Sequence, residues 1–309
     1  MERLALFFCM TAGVMWAGSG VAAQHFFAHS DLDAMDLTTI RMFCTSAIMA
    51  GITVGRGRWK RNWAVMKASP GLWGQILFYG LVGLMAMHFA YFEAIDLGNA
   101  AVVTVLQYTC PAMVICWLAF RRRAWPEPGS VLAVLMAIAG TFFLATGGRF
   151  DALSVSRACF FWAMASAVFY AVAAVFPKHL VGRLDNSFLL TWGMLFGALA
   201  AWGLTDHLNF LDFFHAELLF DLFVIIVCGT AVAFICYNAG LAYLSADQAS
   251  LTTTVEPVAS VVLSYLLFGT TFGAVQAGGI LLIVAAIAMP ALWRKHVQGG
   301  RRTAARKSQ

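Results

Sequence analysis

Apolar residues dominate this chain in long stretches, which short polar segments interrupt at fairly regular intervals. Each stretch approaches the roughly 20 residues that an α-helix needs to cross the hydrocarbon core of a bilayer. The pattern predicts helices near residues 4–24, 37–55, 72–95, 99–120, 129–147, 157–177, 188–205, 218–243, 248–268 and 273–293. The predicted fold class is therefore an all-α polytopic membrane protein with ten transmembrane helices and no room for a soluble domain.

The composition agrees with this class. Hydrophobic residues make up 61% of the 309 residues and charged residues only 11%, whereas a soluble domain carries about 25% charged residues. All seven cysteines fall within predicted helices, without metal-ligand spacing. We therefore expect no metal and no other cofactor. The first apolar run, of about 20 residues, exceeds the 7–15 of a signal peptide, which favours a retained first helix.

The basic residues predict the orientation. Short loops rich in Lys and Arg stay in the cytoplasm. The side that holds both termini carries 17 of the 20 basic residues, at residues 3, 56–67, 121–123, 178–183 and 294–307. We predict a multi-pass protein of the bacterial inner (plasma) membrane with both termini in the cytoplasm. The loop around Asp247 has no basic residue, so that crossing rests on hydropathy alone.

The net charge of +5 requires no nucleic-acid partner. The basic loops also meet the anionic headgroups of the lipid bilayer, which is the expected partner of this charge. The basic cytoplasmic tail, residues 294–309, is interpreted as an anchoring, disordered end rather than as a partner-binding arm.

The chain contains an internal duplication. A shift of 146 residues aligns Trp16 with Trp162, Tyr91 with Tyr237 and Pro111 with Pro257, each pair in corresponding predicted helices. The predicted repeats are residues 1–148 and 149–293, with five helices each. Because five is odd, the second repeat must be inverted relative to the first. Inverted repeats are typical of secondary transporters, whose substrate sites lie near the bilayer midplane between the repeats.

Short motifs in both halves are similar to those of the drug/metabolite transporter superfamily. Glu256-Pro257-Val258, before an aliphatic run that ends in Gly269, resembles the most recognisable signature of this superfamily. Further matching motifs are Trp16-Ala17-Gly18, Arg41, Ala90-Tyr91-Phe92, Asn99-Ala100, Pro111, and Gln276 with Gly279. Their order resembles the ten-helix EamA-domain branch over nearly the whole chain. The resemblance implies a transporter, with export of amino acids or related metabolites.

The chain departs from this family after the fourth and ninth helices. Relatives commonly carry a Glu after the ninth helix, where this chain has Thr270-Thr271, and the corresponding place after the fourth has Arg121-Arg122-Arg123. A gating or salt-bridge role of those acids does not carry over.

Glu256 is the one carboxylate placed deep in a predicted helix. It lies about eight residues, or roughly 12 Å, from the predicted cytoplasmic end. Thr252, Thr253, Ser260 and Ser264 share its helical face, while Val258 and Val262 point away. Two interpretations stay open: a protonated acid hydrogen-bonded to Thr252 or Thr253, and a coupling site for a proton or cation, for which Thr253 is a cavity candidate.

Other polar and aromatic residues are candidates for substrate contacts. They are Trp16, His88, Tyr91, Gln107, Tyr108, Trp162, Tyr237 and Asn238. Each has a structural alternative: His88 as a hydrogen-bonded buried histidine, and the aromatic residues as interfacial belt residues. Pro111 and Pro257 are candidate helix breaks. Arg41 is expected to reach the surface or to pair with Glu93, and Gly193 with Gly197 predicts close helix packing.

Three functions compete at this point. A secondary transporter would move a small metabolite, such as an amino acid or an amphipathic compound, by alternating access, since the chain has no nucleotide-binding motif. A membrane-embedded enzyme is disfavoured because the chain has no intramembrane Asp pair and no G-x-S-x-G. A binding or scaffold protein without transport stays open as the alternative.

Overall fold

The structure is a computed structural model that describes residues 2–149, 154–205, 213, 215–241, 243, 252 and 255–307. Within these ranges every regular element is a helix and no strand occurs. The predicted all-α class is therefore confirmed.

Fourteen α-helices lie in the described ranges. They are α1 (Glu2–Ala28), α2 (Ala34–Gly55), α3 (Trp59–Ala68), α4 (Gly71–Phe78), α5 (Ala86–Asp96), α6 (Ala100–Gln107), α7 (Cys110–Arg122), α8 (Pro128–Thr146), α9 (Arg157–Val175), α10 (Asn186–Trp202), α11 (Ala216–Leu222), α12 (Ala233–Leu241), α13 (Val255–Phe268) and α14 (Ala274–Lys307). Several of them join into longer helical segments.

Within the described residues, eight helical segments are long and apolar enough to cross a membrane. They are Arg3–Ala28, Ala34–Gly55, Gly71–Asp96, Ala100–Arg122, Pro128–Thr146, Arg157–Val175, Leu218–Tyr237 and Ala274–Arg294. The two shorter apolar helices α10 and α13 occupy the positions predicted for the seventh and ninth helices. The predicted start of the ninth helix, residues 248–251 with 253 and 254, lies outside the described residues.

The same departure from α-helical geometry occurs in both repeats. Residues Tyr79–Met85, between α4 and α5, and Phe223–Val232, between α11 and α12, are π-helical. The shift of 146 residues places Tyr79–Met85 on residues 225–231, inside the second π segment. Since π-helical segments are rare and concentrate at functional sites, their recurrence at equivalent positions supports the internal duplication.

Helices of one repeat pack against helices of the other. Helix α2 packs extensively against α10 and α8 against α14, and each of these pairs joins corresponding helices of the two repeats; α6 also packs against α13. Helix α1 contacts α12, and its counterpart α9 contacts α5. Exchanging the repeats leaves this contact pattern unchanged, as an approximate two-fold relation requires.

Two features differ from the sequence-based expectation. The basic segment after α2 contains the short amphipathic helix α3, whose Trp63 and Met66 pack inward while Lys60 and Lys67 are exposed. The last helix continues to Lys307, so the predicted disordered end is wrong for residues 294–307. This segment contains several Ala, Arg and Lys residues, which have high helix propensity.

Helices α8 and α14 touch through glycines. A Cβ atom at Gly279 would lie 2.7 Å from the carbonyl oxygen of Gly140 and 2.7 Å from the backbone nitrogen of Leu144. Gly193 and Gly197 likewise approach the backbone of Gly80, which confirms the close packing that their spacing predicts.

Gly279→Ala is expected to push α8 and α14 apart, because both obstructing atoms belong to the backbone. Overpacking of this kind costs about 1–3 kcal/mol, so the apparent melting temperature of the purified protein in detergent should fall. The adjacent Gly278→Ala is the control, since its Cβ meets nothing within 4 Å. Equal melting temperatures for the two variants would contradict the close contact.

Candidate functional site

The fourth helical segment breaks near its middle. Helix α6 begins at Asn99, whose side chain accepts a hydrogen bond from the backbone of Val102 at 2.9 Å, and ends at Gln107. Tyr108 and Thr109 form a turn, and α7 follows with Pro111 in its first turn. A proline in the first helical turn fits because its missing N–H would have no partner there. The break at Pro111 therefore agrees with the prediction from sequence.

Helix α13 begins at the equivalent position of the second repeat. It starts at Val255 and carries Glu256 and Pro257 in its first turn. The shift of 146 residues places Cys110, the first residue of α7, on Glu256. Pro111 and Pro257 are thus related by the repeat, and the residue before Pro257 carries a carboxylate.

A hydrogen bond between Tyr108 and Glu256 joins the two repeats here. The Tyr108 hydroxyl donates to Oε2 of Glu256 at 2.6 Å, and the two residues are 8% and 9% exposed. The sequence favoured Thr252 or Thr253 as partners of Glu256. The described partner is Tyr108, from the other repeat, and Thr253 lies outside the described residues.

Polar contacts extend from this pair along α13. The Ser260 hydroxyl lies 3.3 Å from the carbonyl oxygen of Ala100 and 3.4 Å from Oγ1 of Thr104, and Thr104 is hydrogen-bonded to the Tyr91 hydroxyl at 2.8 Å. Ser260 and Ser264 are buried, whereas Val258 and Val262 are 44% and 48% exposed. The polar face of this helix therefore points into the bundle and its valine face points outward.

Arg41 points into the bundle. Its guanidinium carbon lies 5.3 Å above the centre of the Phe92 ring, and its charge interacts with Glu256 and His88. The expected ion pair with Glu93 is not formed. The ion pairs among the described residues involve only Asp185 and Asp221 as acids, so Arg41 and Glu256 interact at a distance of more than 4 Å.

His88 is buried and hydrogen-bonded within its own helix. Its Nδ1 lies 2.7 Å from the carbonyl oxygen of Leu84. A carbonyl can only accept, so Nδ1 carries a hydrogen and Nε2 is the acceptor in the neutral ring. This contact is the one expected of a hydrogen-bonded structural histidine. The Nε2 atom makes no described hydrogen bond and could accept one from a ligand.

The remaining candidates fall into three separate groups. Gln107 lies 3.3 Å from the Ser166 hydroxyl of α9. Trp16 packs against Tyr237, with ring centres 5.6 Å apart, and Trp162 packs against Phe89 at 5.2 Å. These tryptophan contacts join the repeats, and no described contact connects them to Glu256. The side chain of Asn238 lies outside the described part of the structure.

Two residues near Glu256 were missed as site candidates. Tyr170 interacts electrostatically with Glu256, and Arg41 was assigned to the surface. The spacing of Trp162, Ser166 and Tyr170 at i, i+4 and i+8 places them on one face of α9, which could have identified Tyr170. Arg41 carries no comparable signal because its direction depends on the packing of α2.

Polar contacts between the repeats also occur at both ends of the bundle. Near the end of α1, His25 Nδ1 lies 2.7 Å from Oδ2 of Asp221. At the opposite end, His179 Nε2 lies 2.7 Å from Oε1 of Gln75 in α4. Gln75 and Asp221 are equivalent under the shift of 146 residues, so each repeat supplies the same position to one of the two contacts.

Asp185 anchors α3 at the Gln75 end. Its carboxylate accepts hydrogen bonds from Arg58, from Arg61 at 3.0 Å and from Asn62 at 3.0 Å, and its own N–H donates to Oδ1 of Asn62 at 3.0 Å. Burial acts to raise the pKa of Asp185. The hydrogen bonds from Arg58 and Asn62 and the charges of both arginines outweigh burial and hold this pKa below its ordinary value.

Comparison with known proteins supports the resemblance noted in the motifs. The sequence model of the EamA-like transporter family matches residues 3–146 and 157–291. The uncharacterized inner membrane transporter YicL of Salmonella typhimurium (strain LT2) is 29% identical over 292 residues, which cover 92% of this chain and 93% of that protein. A solved crystal structure that is 20% identical covers 95% of this chain and 98% of its own, with a TM-score of 0.65. This last likeness shows the fold alone.

Gly20→Ala is expected to disturb the hydrogen bond between Tyr91 and Thr104. A Cβ atom at Gly20 would overlap the Tyr91 hydroxyl, whereas one at Gly18 would meet nothing within 4 Å. The apparent melting temperature in detergent should fall for Gly20→Ala, by the equivalent of about 1–3 kcal/mol, and stay unchanged for Gly18→Ala.

A double-mutant cycle identifies the cause of this loss. In a Tyr91→Phe background, the nearest ring atom to the new Cβ is the tyrosine Cζ position at 3.4 Å, an ordinary contact distance. Gly20→Ala should then be almost neutral, and the two changes should couple strongly. Additive losses would contradict the proposed contact with the hydroxyl.

Proposed function

Because the chain belongs to the EamA-like transporter family, we propose that it is a secondary active transporter that moves small metabolites by alternating access through a site between its two repeats. The observation that carries this proposal is the presence of a basic and an acidic side chain, Arg41 and Glu256, inside the bundle without an ion pair between them. We further propose that the metabolite is dipolar, with one anionic and one cationic group, as in amino acids and related compounds.

Uncompensated charges inside a membrane protein are costly. Placing a charged side chain at the centre of a membrane helix costs about 2.5–3.5 kcal/mol on insertion scales. Glu256 receives one hydrogen bond from Tyr108, and the Arg41 guanidinium makes none with any other described residue. A direct ion pair would satisfy both charges. The gap of more than 4 Å between them instead suits a ligand that presents a carboxylate to Arg41 and an ammonium group to Glu256.

Buried aromatic rings surround this site, and we propose that they contact the apolar body of the substrate. Phe92 lies under Arg41, and Tyr91 and Tyr108 carry the hydrogen bonds around Glu256. Their rings are buried. Sites for small molecules typically combine such apolar walls with a few placed polar groups. We retain Trp16, Trp162, Gln107, Tyr237, Asn238 and His88 as proposed contacts for other parts of the substrate or for a later step of its passage.

The end contacts fit an alternating-access cycle. His25 with Asp221 and Gln75 with His179 connect the repeats at opposite ends, so opening of one end requires the contact at that end to break. Since equivalent positions serve both contacts, the two open states are expected to be related by an approximate two-fold rotation. We propose ten crossings with both termini in the cytoplasm, and export as the physiological direction.

Counterflow in proteoliposomes tests the function. Liposomes loaded with unlabelled L-leucine, L-threonine, L-phenylalanine or L-cysteine should accumulate the same labelled compound from outside. Liposomes without protein should not. If none of these amino acids and no amphipathic amine or acid exchanges, transport of small metabolites is contradicted and a binding or scaffold role is favoured.

Glu256→Gln is expected to reduce exchange of the transported amino acid by about tenfold or more, because the amide keeps the shape but loses the charge that holds the ammonium group; tenfold corresponds to about 1.4 kcal/mol. Asp96→Asn is the matched control, since Asp96 is exposed at the end of α5 and makes no described hydrogen bond. Exchange by Glu256→Gln at the wild-type rate would exclude Glu256 from the site.

The role of Arg41 is tested by removing one charge from the ligand. Arg41→Gln should weaken competition by L-phenylalanine or 3-phenylpropionate about tenfold, and leave competition by phenethylamine, which lacks a carboxylate, unchanged. Arg157→Gln removes an exposed arginine at the start of α9 and should alter none of the three. A uniform loss for all three ligands would indicate a structural role for Arg41 instead.

A further inference from the structure

A second site lies at the end of the bundle that holds Asp185. A pocket of about 200 Å³ opens between α2, α10 and α12. Its rim is polar, with Arg56, Arg58, Asp185, Asn186 and Ser187. Its floor is apolar, with Met49, Ile52, Leu190, Phe234 and Ile235. None of these residues contacts Glu256 or Arg41, so the pocket is separate from the site between the repeats.

The rim favours an anion. Arg56 is exposed, and its guanidinium makes no hydrogen bond or ion pair with another described residue. Arg58 is bound to Asp185 through one of its nitrogens only and is 52% exposed, which leaves further N–H donors free. Arginine presents these donors in a planar fork that matches the oxygens of a phosphate group.

The start of α10 adds to this preference. Asn186 and Ser187 are its first residues and line the pocket. The Asp185 side chain, which could cap this helix, does not do so because it is bound to α3. The first N–H groups of α10 are therefore not capped by that carboxylate, and helix starts of this kind favour anions.

The floor favours a hydrocarbon chain rather than water. Leu190, which lines the pocket, is 4% exposed, whereas Ile235, which also lines it, is 53% exposed on the outer surface of α12. The apolar wall thus continues from inside the pocket onto the part of the bundle that faces lipid. A soluble phosphate would use the rim and leave this wall uncovered.

The surrounding charge fits the surface of a membrane. Lys60, Arg61 and Lys67 are exposed on α3, which directly follows Arg56 and Arg58 in the chain. Residues 56–68 contain no acidic residue. Each basic residue near an anionic membrane surface contributes about 1 kcal/mol of attraction.

We propose that the pocket lined by Arg56 and Arg58 binds the phosphate headgroup of an anionic phospholipid, with its acyl chains lying over Leu190, Phe234 and Ile235. The lipid would bridge the repeats, because α2 belongs to the first repeat and α10 and α12 to the second. Its phosphate would also stand beside the bond between Arg58 and Asp185, which links α3 to α10. This proposal requires no transport and stands apart from the function proposed above.

Native mass spectrometry of the full chain in a neutral detergent tests the site. The probe is an equal mixture of phosphatidylglycerol and phosphatidylcholine with identical acyl chains. The wild type should bind its first phosphatidylglycerol more tightly than phosphatidylcholine. Arg56→Gln should weaken that binding about tenfold, as expected for the loss of a hydrogen bond between charged groups, and Arg56→Lys should restore part of it.

Arg121→Gln is the matched control, since Arg121 is exposed at the end of α7 and does not line the pocket; it should bind phosphatidylglycerol as the wild type does. Equal binding of the two lipids by the wild type, or an unchanged affinity in Arg56→Gln, would overturn the proposal. A third arm adds sn-glycerol 3-phosphate. Displacement of the lipid by this soluble headgroup at equal concentration would assign the pocket to a free phosphate ester and overturn the lipid assignment.

Discussion

The burial of one carboxylate inside an apolar bundle is the constraint on which the rest of this structure depends. Glu256 lies at the start of α13, and its described partner is the Tyr108 hydroxyl at the break between α6 and α7. A buried polar group must be satisfied by hydrogen bonds or it destabilises the fold. The break before Pro111 places the Tyr108 hydroxyl beside Glu256 at the junction of the repeats. The site therefore exists only when both repeats are assembled.

The duplication accounts for how one bundle can hold such a pair and underlies the alternating access that we propose. Corresponding helices pair across the repeats, both repeats contain a π-helical segment at the same position, and Gln75 and Asp221 secure opposite ends. Broken helices are tolerated within membranes where they line a cavity. Tightly packed elements such as Gly140 against Gly279 are suited to move as rigid units, while the polar end contacts are suited to exchange.

Much of the fold could be predicted from the sequence because apolar length and charge placement report directly on the membrane environment. The polar face of α13 was also predictable, since period and residue type determine it. The π-helical segments were not, because no residue pattern around Tyr79 or Phe223 signals them. Helix α3 was not predicted because its basic residues are typical of a cytoplasmic loop. The inward direction of Arg41 depends on packing between α2 and α5. Tyr108 was identified, but its pairing with Glu256 required the assembled repeats.

Alkylation of Cys110 is the most direct measurement of a ligand site between the repeats. Cys110 lies two residues from Tyr108, at the position equivalent to Glu256, and is 5% exposed, whereas Cys116 on the same helix is exposed. Two variants are compared, one that lacks Cys116 and keeps Cys110 and one that lacks Cys110 and keeps Cys116. A small maleimide should react with Cys110 at a rate that changes when a transported amino acid is added. The rate at Cys116 should stay constant. A Cys110 rate that is indifferent to every exchanged ligand would contradict the account.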